Sequence, residues 1–167
     1  MSSENPYAPP TAPVSDQDDE ASHLAGRGQR LAAAILDGVI GIVCAIPIMV
    51  LFGMFDYLKA GRPLPFTLTL ASTVSGIVLF VVVHGYLLKT HGQTVGKKLI
   101  GVRIVDLDNQ LPRFGKLIGL RYLPIWAVTV IPVIGQILPL IDALFIFRKD
   151  RRCLHDLIAG TRVVRAS

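Results

Sequence analysis

The residues of this chain that could do chemistry are charged side chains set inside long apolar stretches. Asp37 is the single charge in the apolar run 31–55, and Arg121 and Asp142 interrupt the apolar run 117–147. A charge inside a membrane-length helix is costly, because hydrocarbon cannot solvate it. Such a side chain therefore indicates either a partner that holds helices together or a role in ion or proton handling.

Two of the elements that must position these charges are predicted to be full-length membrane helices. Residues 31–55 and 66–88 each exceed the ~20 apolar residues that cross the hydrocarbon core of a bilayer. The second run holds no Asp, Glu, Lys or Arg, and His84 lies near its end. Pro47, in the first run, is compatible with a kinked membrane helix.

The third apolar run, residues 117–147, is longer than one crossing needs and short for two, with Pro132 and Gly135 near its centre. Basic residues lie on both sides of it: Lys89, Lys97, Lys98, Arg103, Arg113, Lys116, Arg148, Lys149, Arg151, Arg152, Arg162 and Arg165. A single crossing would put one of these groups outside, against the positive-inside rule. A tight hairpin of two short helices, residues 117–131 and 134–147, keeps both groups in the cytoplasm, and a re-entrant pair fits the charges equally well.

The predicted fold class is therefore an all-α polytopic membrane protein, a small bundle of about four membrane segments with both termini in the cytoplasm. Two segments are full-length, and the other two form a short hairpin broken by Pro and Gly. Residues 99–106 alternate and are β-branched, and residues 108–110 suit a turn, so a minor cytoplasmic β-hairpin or strand is expected. Residues 161–165 have the same character and could pair with it.

Charge is unevenly distributed along the chain. Residues 1–25 are rich in Pro, Ser and acid and are predicted to be a disordered tail, which leaves 26–165 as the transmembrane domain. The basic surplus outside the tail is typical of cytoplasmic loops that face anionic lipid. The lipid bilayer is therefore the expected partner, and nucleic acid is not.

With this topology, Asp37, Arg121 and Asp142 all lie roughly 8–11 Å inside the cytoplasmic boundary. Arg30 shares a helix face with Asp37 but points away from it, because helical side chains lean toward the N-terminus. We hypothesise that Asp37 pairs across helices with Arg121 or His84, or accepts a hydrogen bond from Ser or Thr. Such pairs often only fix helix packing, so a structural role and an ion-handling role both remain open.

Other motifs predict no catalytic chemistry. The segment 92–98, GQTVGKK, is one residue short of a phosphate-binding loop and is better read as a basic turn at the lipid headgroups. His155 and Asp156 form a dyad without further ligands, so a helix-start or packing role is expected for them. No metal, cofactor or enzymatic activity is expected.

Three motifs in order resemble the RDD family of bacterial membrane proteins. They are Arg30-x6-Asp37 at the head of the first helix, the segment 92–106 (GQTVGKKLIGVRIVD) and the segment 151–164 (RRCLHDLIAGTRVV). Arg30 and Asp37 match the arginine and the first aspartate of the family's name. For the second aspartate, Asp142 and Asp156 are both candidates.

The resemblance implies transport at the bacterial inner membrane, since some members of the family are linked to sodium/proton exchange. Arg30, Asp37, Arg121, Asp142, His155 and Asp156 are then the candidate site residues, with Asp37 as the ion-handling carboxylate. Four short segments make a thin pore, so a homo-oligomer or a membrane partner is expected. The alternative is a non-transporting scaffold or envelope assembly factor whose intramembrane charges are structural.

Overall fold

Helices dominate the computed structural model, which describes residues 23–131 and 134–166, apart from the side chain of Gln136. The helices are α1 (Arg27–Leu51), α2 (Met54–Lys59), α3 (Phe66–His91), α4 (Val95–Ile100), α5 (Phe114–Lys116, continuing through Leu117–Tyr122 and Leu123–Thr129), α6 (Ile134–Leu144) and α7 (Leu154–Ala159). Two strands, β1 (Val102–Asp106) and β2 (Thr161–Arg165), complete the described elements.

Helices α1 and α3 are long and apolar enough to cross a membrane, as predicted. Many of their large apolar side chains are uncovered, with Leu51 80% exposed and Val82 74% exposed. An apolar surface of this kind suits contact with lipid rather than water. Helix α1 ends at Leu51, before the predicted end of the run, because Gly53 adopts a left-handed conformation and α2 begins.

The third apolar run forms two helices, α5 and α6, that pack against each other. Helix α5 widens into a π-helical turn at Leu117–Tyr122 and returns to α-helix at Leu123–Thr129. Helix α6 is followed by a 3-10 turn at Phe145–Phe147. The two helices are separate where Pro132 predicts a break, and residues 132–133 lie outside the described ones. The count of four membrane segments stays a prediction.

The strands β1 and β2 pair antiparallel, with Val102 opposite Arg165 and Asp106 opposite Thr161. The pairing of β1 with residues 161–165 was predicted. The prediction of a local hairpin, with its turn at residues 108–110, was wrong. A turn does form there, yet the chain then reaches Pro112, which has no N–H to donate to a ladder. The pairing edge is taken instead by β2, from the end of the chain.

The buried core lies at one end of the long helices, which we call the sheet end (β1, β2, α4 and α7). It contains Ala25, Ala33, Leu88, Val102, Ile104, Leu117 and Val163. Gly92 ends α3 with φ at +66°, and a Cβ there would lie 2.5 Å from the carbonyl oxygen of Ile104. A glycine is therefore required where α3 meets β1.

Leu24 and Ala25, at the end of the predicted tail, contact strand β2. Leu24 forms a β-bridge with Val164, and the N–H of Ala25 donates to the carbonyl of Val163 at 3.0 Å. Ala25 is fully buried. These contacts extend the edge of the small sheet, and the domain boundary at residue 26 stays a prediction. The remaining tail prediction, residues 1–22, lies outside the described residues.

Candidate functional site

Asp156 is the centre of one buried charge cluster at the sheet end. Its carboxylate is fully buried in the first turn of α7 and accepts hydrogen bonds from Arg30 on one oxygen and from Arg121 on the other. The N–H of Cys153, at the start of the same helix, donates to it at 3.2 Å. Two arginines and a helix N-terminus thus surround one carboxylate, an arrangement that strongly favours its charged form.

Four separate elements supply this cluster. Arg30 comes from the first turns of α1, and Arg121 comes from the π-helical turn of α5, an irregularity often found where a side chain must be aimed. Arg121 also donates to the hydroxyl of Thr161 in β2 at 2.5 Å. The cluster therefore ties α1, α5, α7 and β2 together.

Burial and charge set the protonation states at this end of the molecule. Burial would raise the pKa of Asp156, but the charges of Arg121 and Arg30 hold it well below its usual range. Burial lowers the pKa of His155, and the neighbouring Arg121 lowers it further. Burial raises the pKa of the Cys153 thiol to about 11. Near neutral pH, Asp156 is ionised, His155 is a neutral imidazole and Cys153 is a thiol.

Asp142, in α6, is bound by His155 rather than by an arginine. Its Oδ1 accepts from the backbone N–H of His155 at 2.9 Å, and its Oδ2 lies 2.6 Å from Nδ1 of the same residue. Because His155 precedes Asp156 in α7, this contact fastens α6 onto the Asp156 cluster.

Asp37 is the centre of a second cluster, at the start of α4. Its Oδ1 accepts from the N–H of Gly96 at 2.7 Å, and its Oδ2 accepts from the hydroxyl of Thr94 at 2.5 Å. The ammonium of Lys97 lies 3.6 Å from the same Oδ2. Thr94 is also the N-cap of α4, so the carboxylate of α1 sits at a helix N-terminus whose N–H groups need acceptors.

We expect Thr94→Val to destabilise the protein by about 1–2 kcal/mol, because it removes both the helix cap and the hydrogen bond to Asp37. Thr94→Ser keeps the hydroxyl and should lose little. Thermal unfolding of the purified chain in detergent would measure the difference. Equal unfolding temperatures for the two variants would contradict this role of the hydroxyl.

A cavity of about 300 Å³ lies between α1, α3 and α5, with Asp37 and His84 on its wall. The remaining wall is apolar apart from small hydroxyl and sulfur groups. The rings of Phe80 and Trp126 meet edge to face beside it, with centroids 4.8 Å apart. His84 accepts a hydrogen bond on Nδ1 from the N–H of Val95 at 3.2 Å. Two titratable side chains thus face one largely apolar space.

Arg121, one of the partners proposed for Asp37, does not bond to it. Arg121 is directed into the Asp156 cluster, where its Nη1 donates to the fully buried carboxylate of Asp156 and to the hydroxyl of Thr161. Asp37 instead accepts from a threonine, one of the alternatives that the sequence left open. Its contact with Lys97 replaces the expected contact with Arg121 or His84.

Arg30 does not bond to Asp37, as its helical position predicts. It is, however, only 9% exposed and is held by Asp156 and by the carbonyl oxygen of Arg151. Arg30 is therefore a buried partner of Asp156, because α7 folds back over the start of α1.

Sequence reasoning missed the residues that hold Asp37. Thr94, Gly96 and Lys97 were interpreted as a basic turn, whereas they form the capped start of α4. A threonine two residues before a glycine and a lysine pair is compatible with a helix N-cap, which is the one signal that could have found them. The helix-start role expected for Asp156 is present in its bond from the N–H of Cys153.

Comparison with known proteins identifies relatives of the chain. The sequence model of the RDD family matches residues 24–160. An uncharacterized protein from Haemophilus influenzae is 34% identical over 117 residues, which cover 68% of this chain and 69% of that protein. The uncharacterized protein YckC from Bacillus subtilis is 32% identical over 149 residues, which cover 86% of this chain and 85% of that protein. No solved structure matches the chain.

Proposed function

Since this chain belongs to the RDD family, we propose that it is a small multi-pass transporter of the bacterial plasma membrane that exchanges a monovalent cation for protons. It acts without an enzymatic reaction, and Asp37 is the carboxylate that binds cation and proton in turn. The single observation that carries the proposal is the cavity beside Asp37 and His84, between helices of membrane-spanning length.

The proposed topology has four membrane segments. Family membership and the two long apolar helices indicate a membrane protein, and the basic residues around α5 and α6 favour a hairpin that returns to the cytoplasm. The sheet end then faces the cytoplasm together with both termini. Asp37 lies just inside that face, within reach of water from the cytoplasm and of the cavity.

Asp37 suits exchange because its partners hold it without enclosing it. Its side chain is 15% exposed, and its nearest cation, Lys97, is 3.6 Å away rather than in close hydrogen-bonding contact. A monovalent cation or a proton that arrives through the cavity competes with Lys97 for the same carboxylate. Coupled exchange requires at least that the cation and the proton compete for the same carboxylate.

The Asp156 cluster takes a different role in this proposal. Its carboxylate is fully buried and accepts from two arginines, which leaves no room for a transported ion. It closes the cytoplasmic end of the bundle and keeps α1 at a fixed distance from α5 and α7. Of the two candidates, Asp156 is therefore the partner of Arg30 and our choice for the family's second aspartate.

The bundle is thin, and its lipid-facing helices are extensively exposed. Secondary transporters are generally built from larger repeats, so we propose a homo-oligomer or a complex with another membrane protein as the transporting unit.

Asp37→Asn is expected to abolish cation-dependent proton flux while preserving the fold. Asparagine retains the oxygen that accepts from Gly96 and loses the charge that a cation or a proton would neutralise. Its amide nitrogen takes the place of the oxygen that accepts from Thr94, and the Thr94 hydroxyl can turn to accept from it. The measurement uses the full chain in proteoliposomes with a trapped pH-sensitive dye, to which Na⁺, K⁺ or Li⁺ is added outside.

Asp56→Asn is the matched control, because Asp56 lies in α2, away from both clusters, and should leave the flux unchanged. No cation-dependent pH change with the wild-type protein would refute transport of these ions. Wild-type flux in a folded Asp37→Asn variant would refute the role of Asp37.

The scaffold alternative rests on the Asp156 cluster. Because the Asp156 carboxylate is held by two arginines, the cluster can be explained by helix packing without a transported ion. A protein with no flux, but with a defined partner captured by crosslinking from the membrane, would favour that function.

A further inference from the structure

Three side chains on the wall of a second cavity are of the types that bind transition metals. Asp142, Cys153 and His155 each offer one donor atom, and these atoms all lie within 4.8 Å of one another. All three line a cavity of about 390 Å³ at the sheet end. We infer that they form a Zn²⁺ site with one coordination position open to this cavity, a property independent of the proposed transport.

The donor set selects the metal. A thiolate, an imidazole and a carboxylate together match the ligands of tetrahedral zinc, whereas Mg²⁺ and Ca²⁺ take oxygen ligands. Three protein ligands with a free fourth position are the pattern of a reactive or exchangeable site rather than of a closed structural one. From the sequence no site is expected, because His155 and Asp156 form a dyad without further ligands. In the structure Cys153, two residues before His155, supplies a second donor. The fold adds the third, Asp142, from α6.

Asp142 is the feature that most needs a cation. Its side chain is only 12% exposed, and among the described residues no lysine or arginine pairs with it. Its partner is His155, through the backbone N–H and Nδ1. A buried carboxylate is normally paired with a cation or coordinates a metal. Zn²⁺ bound to Asp142 would neutralise its charge, as Arg30 and Arg121 neutralise the charge of Asp156.

His155 is oriented for coordination through Nδ1. Its Nε2 lies 3.8 Å from Oδ2 of Asp156, so a proton on Nε2 points toward a carboxylate. A ligating histidine whose other nitrogen faces a carboxylate is the usual outer arrangement of zinc sites. The imidazole remains neutral when Zn²⁺ binds, because its proton is carried on Nε2 instead of Nδ1.

Binding requires one proton to leave. The thiol of Cys153 gives its proton to the solvent as the sulfur–zinc bond forms, and Nη2 of Arg30, 3.5 Å from the sulfur, supports the thiolate. Zinc–ligand bonds of ~2.0–2.3 Å place neighbouring donors roughly 3–4 Å apart. Small rotations of the three side chains achieve this from the present separations.

Charge predicts the fourth ligand. The two arginines and two aspartates of this region (Arg30, Arg121, Asp142 and Asp156) have a formal net charge of zero, although both arginines bond to Asp156 and neither bonds to Asp142. Zn²⁺ with one thiolate therefore adds a single positive charge. Arg27 and Lys97 also line the cavity onto which the open position faces. We therefore place hydroxide or another small anion in that position.

Co²⁺ is the probe for this site, because thiolate ligation gives it a charge-transfer band in the near ultraviolet. Metal-free full-length protein in detergent should develop this band with Co²⁺ and lose it when Zn²⁺ is added. Cys153→Ser should lack the band. Serine is a favoured N-cap, so this variant keeps the start of α7 and should unfold within a few degrees of the wild type.

Cys44→Ser is the matched control, since Cys44 is the other cysteine of the chain and lies in α1. It should keep the band. Asp142→Asn should weaken Co²⁺ binding at least tenfold, roughly the effect of removing even an outer partner of a metal site. Absence of the band in the wild type, its persistence in Cys153→Ser, or unchanged affinity in Asp142→Asn would overturn the site.

Discussion

Replacing Asp156 with asparagine is expected to destabilise the protein by about 3–5 kcal/mol, the effect of removing one partner from a buried ion pair. Arg30 and Arg121 would remain buried at 9% and 2% exposure with no opposing charge between them. The amide group of asparagine would also turn a donor toward one of the two guanidinium groups. Since a domain is stable by only ~5–15 kcal/mol, much of the stability would be lost.

Thermal unfolding and gel filtration in detergent would measure this loss. Asp150→Asn is the matched control, because its ion pair with Arg148 is exposed, with side chains 38% and 51% accessible. An exposed pair contributes about 1 kcal/mol at most, so this variant should unfold almost as the wild type does. Equal behaviour of the Asp156 and Asp150 variants would show that the buried cluster does not hold the sheet end together.

A double variant separates the two arginines. Adding Arg30→Met to Asp156→Asn removes one of the uncompensated charges, so the double variant should be less destabilised than the sum of the two single variants. Simple additivity would mean that Arg30 and Asp156 do not interact in the folded protein, against the contact between them.

The long helices were predictable from the sequence because lipid imposes a strict rule on them. A run of about 20 apolar residues with at most one charge, such as the one around Asp37, has few other stable uses. The pairing of β1 with β2 was also accessible, since alternation of β-branched residues marks both strands. Both inferences need only the local pattern of the chain.

Charge partners were not predictable, because each of them is chosen by tertiary structure. Helical rise placed Arg121 level with Asp37 and Asp142. The π-helical turn of α5 directs Arg121 toward Asp156, and the residue types at positions 117–122 do not predict a π-helical turn. The position of a residue along the helix axis therefore limits which partners it can reach. The direction in which its side chain leaves the helix decides which of them it bonds.

Asp37 illustrates the same limit. Its need for a partner followed from the cost of a charge in an apolar helix, yet its partner is the backbone of a helix six residues long. The bond from Gly96 depends on α1 and α4 approaching closely, which a pattern of residue types cannot show. This close approach requires a glycine at residue 96.

Gly96→Ala is expected to break this approach. A Cβ at residue 96 would collide with the carbonyl oxygen of Ala33 and would lie 2.8 Å from Oδ1 of Asp37. Because the carbonyl group of Ala33 is fixed within the second turn of α1, α4 must move away instead. We expect a cost of about 1–3 kcal/mol from overpacking, together with loss of the hydrogen bond from the Gly96 N–H to Asp37.

Gly38→Ala distinguishes this collision from a general effect of adding a methyl group. Gly38 follows Asp37 in α1, and a Cβ there meets nothing within 4 Å, so the change should be neutral or stabilising by up to about 1 kcal/mol. Unfolding temperature and hydrogen exchange of the residue-96 amide measure both variants. If Asp37 holds α4, only Gly96→Ala should show faster exchange and reduced stability. The reason is that an amide without its acceptor exchanges more readily. Unchanged exchange would mean that α4 tolerates the methyl group and that the contact between α1 and α4 does not fix the position of Asp37.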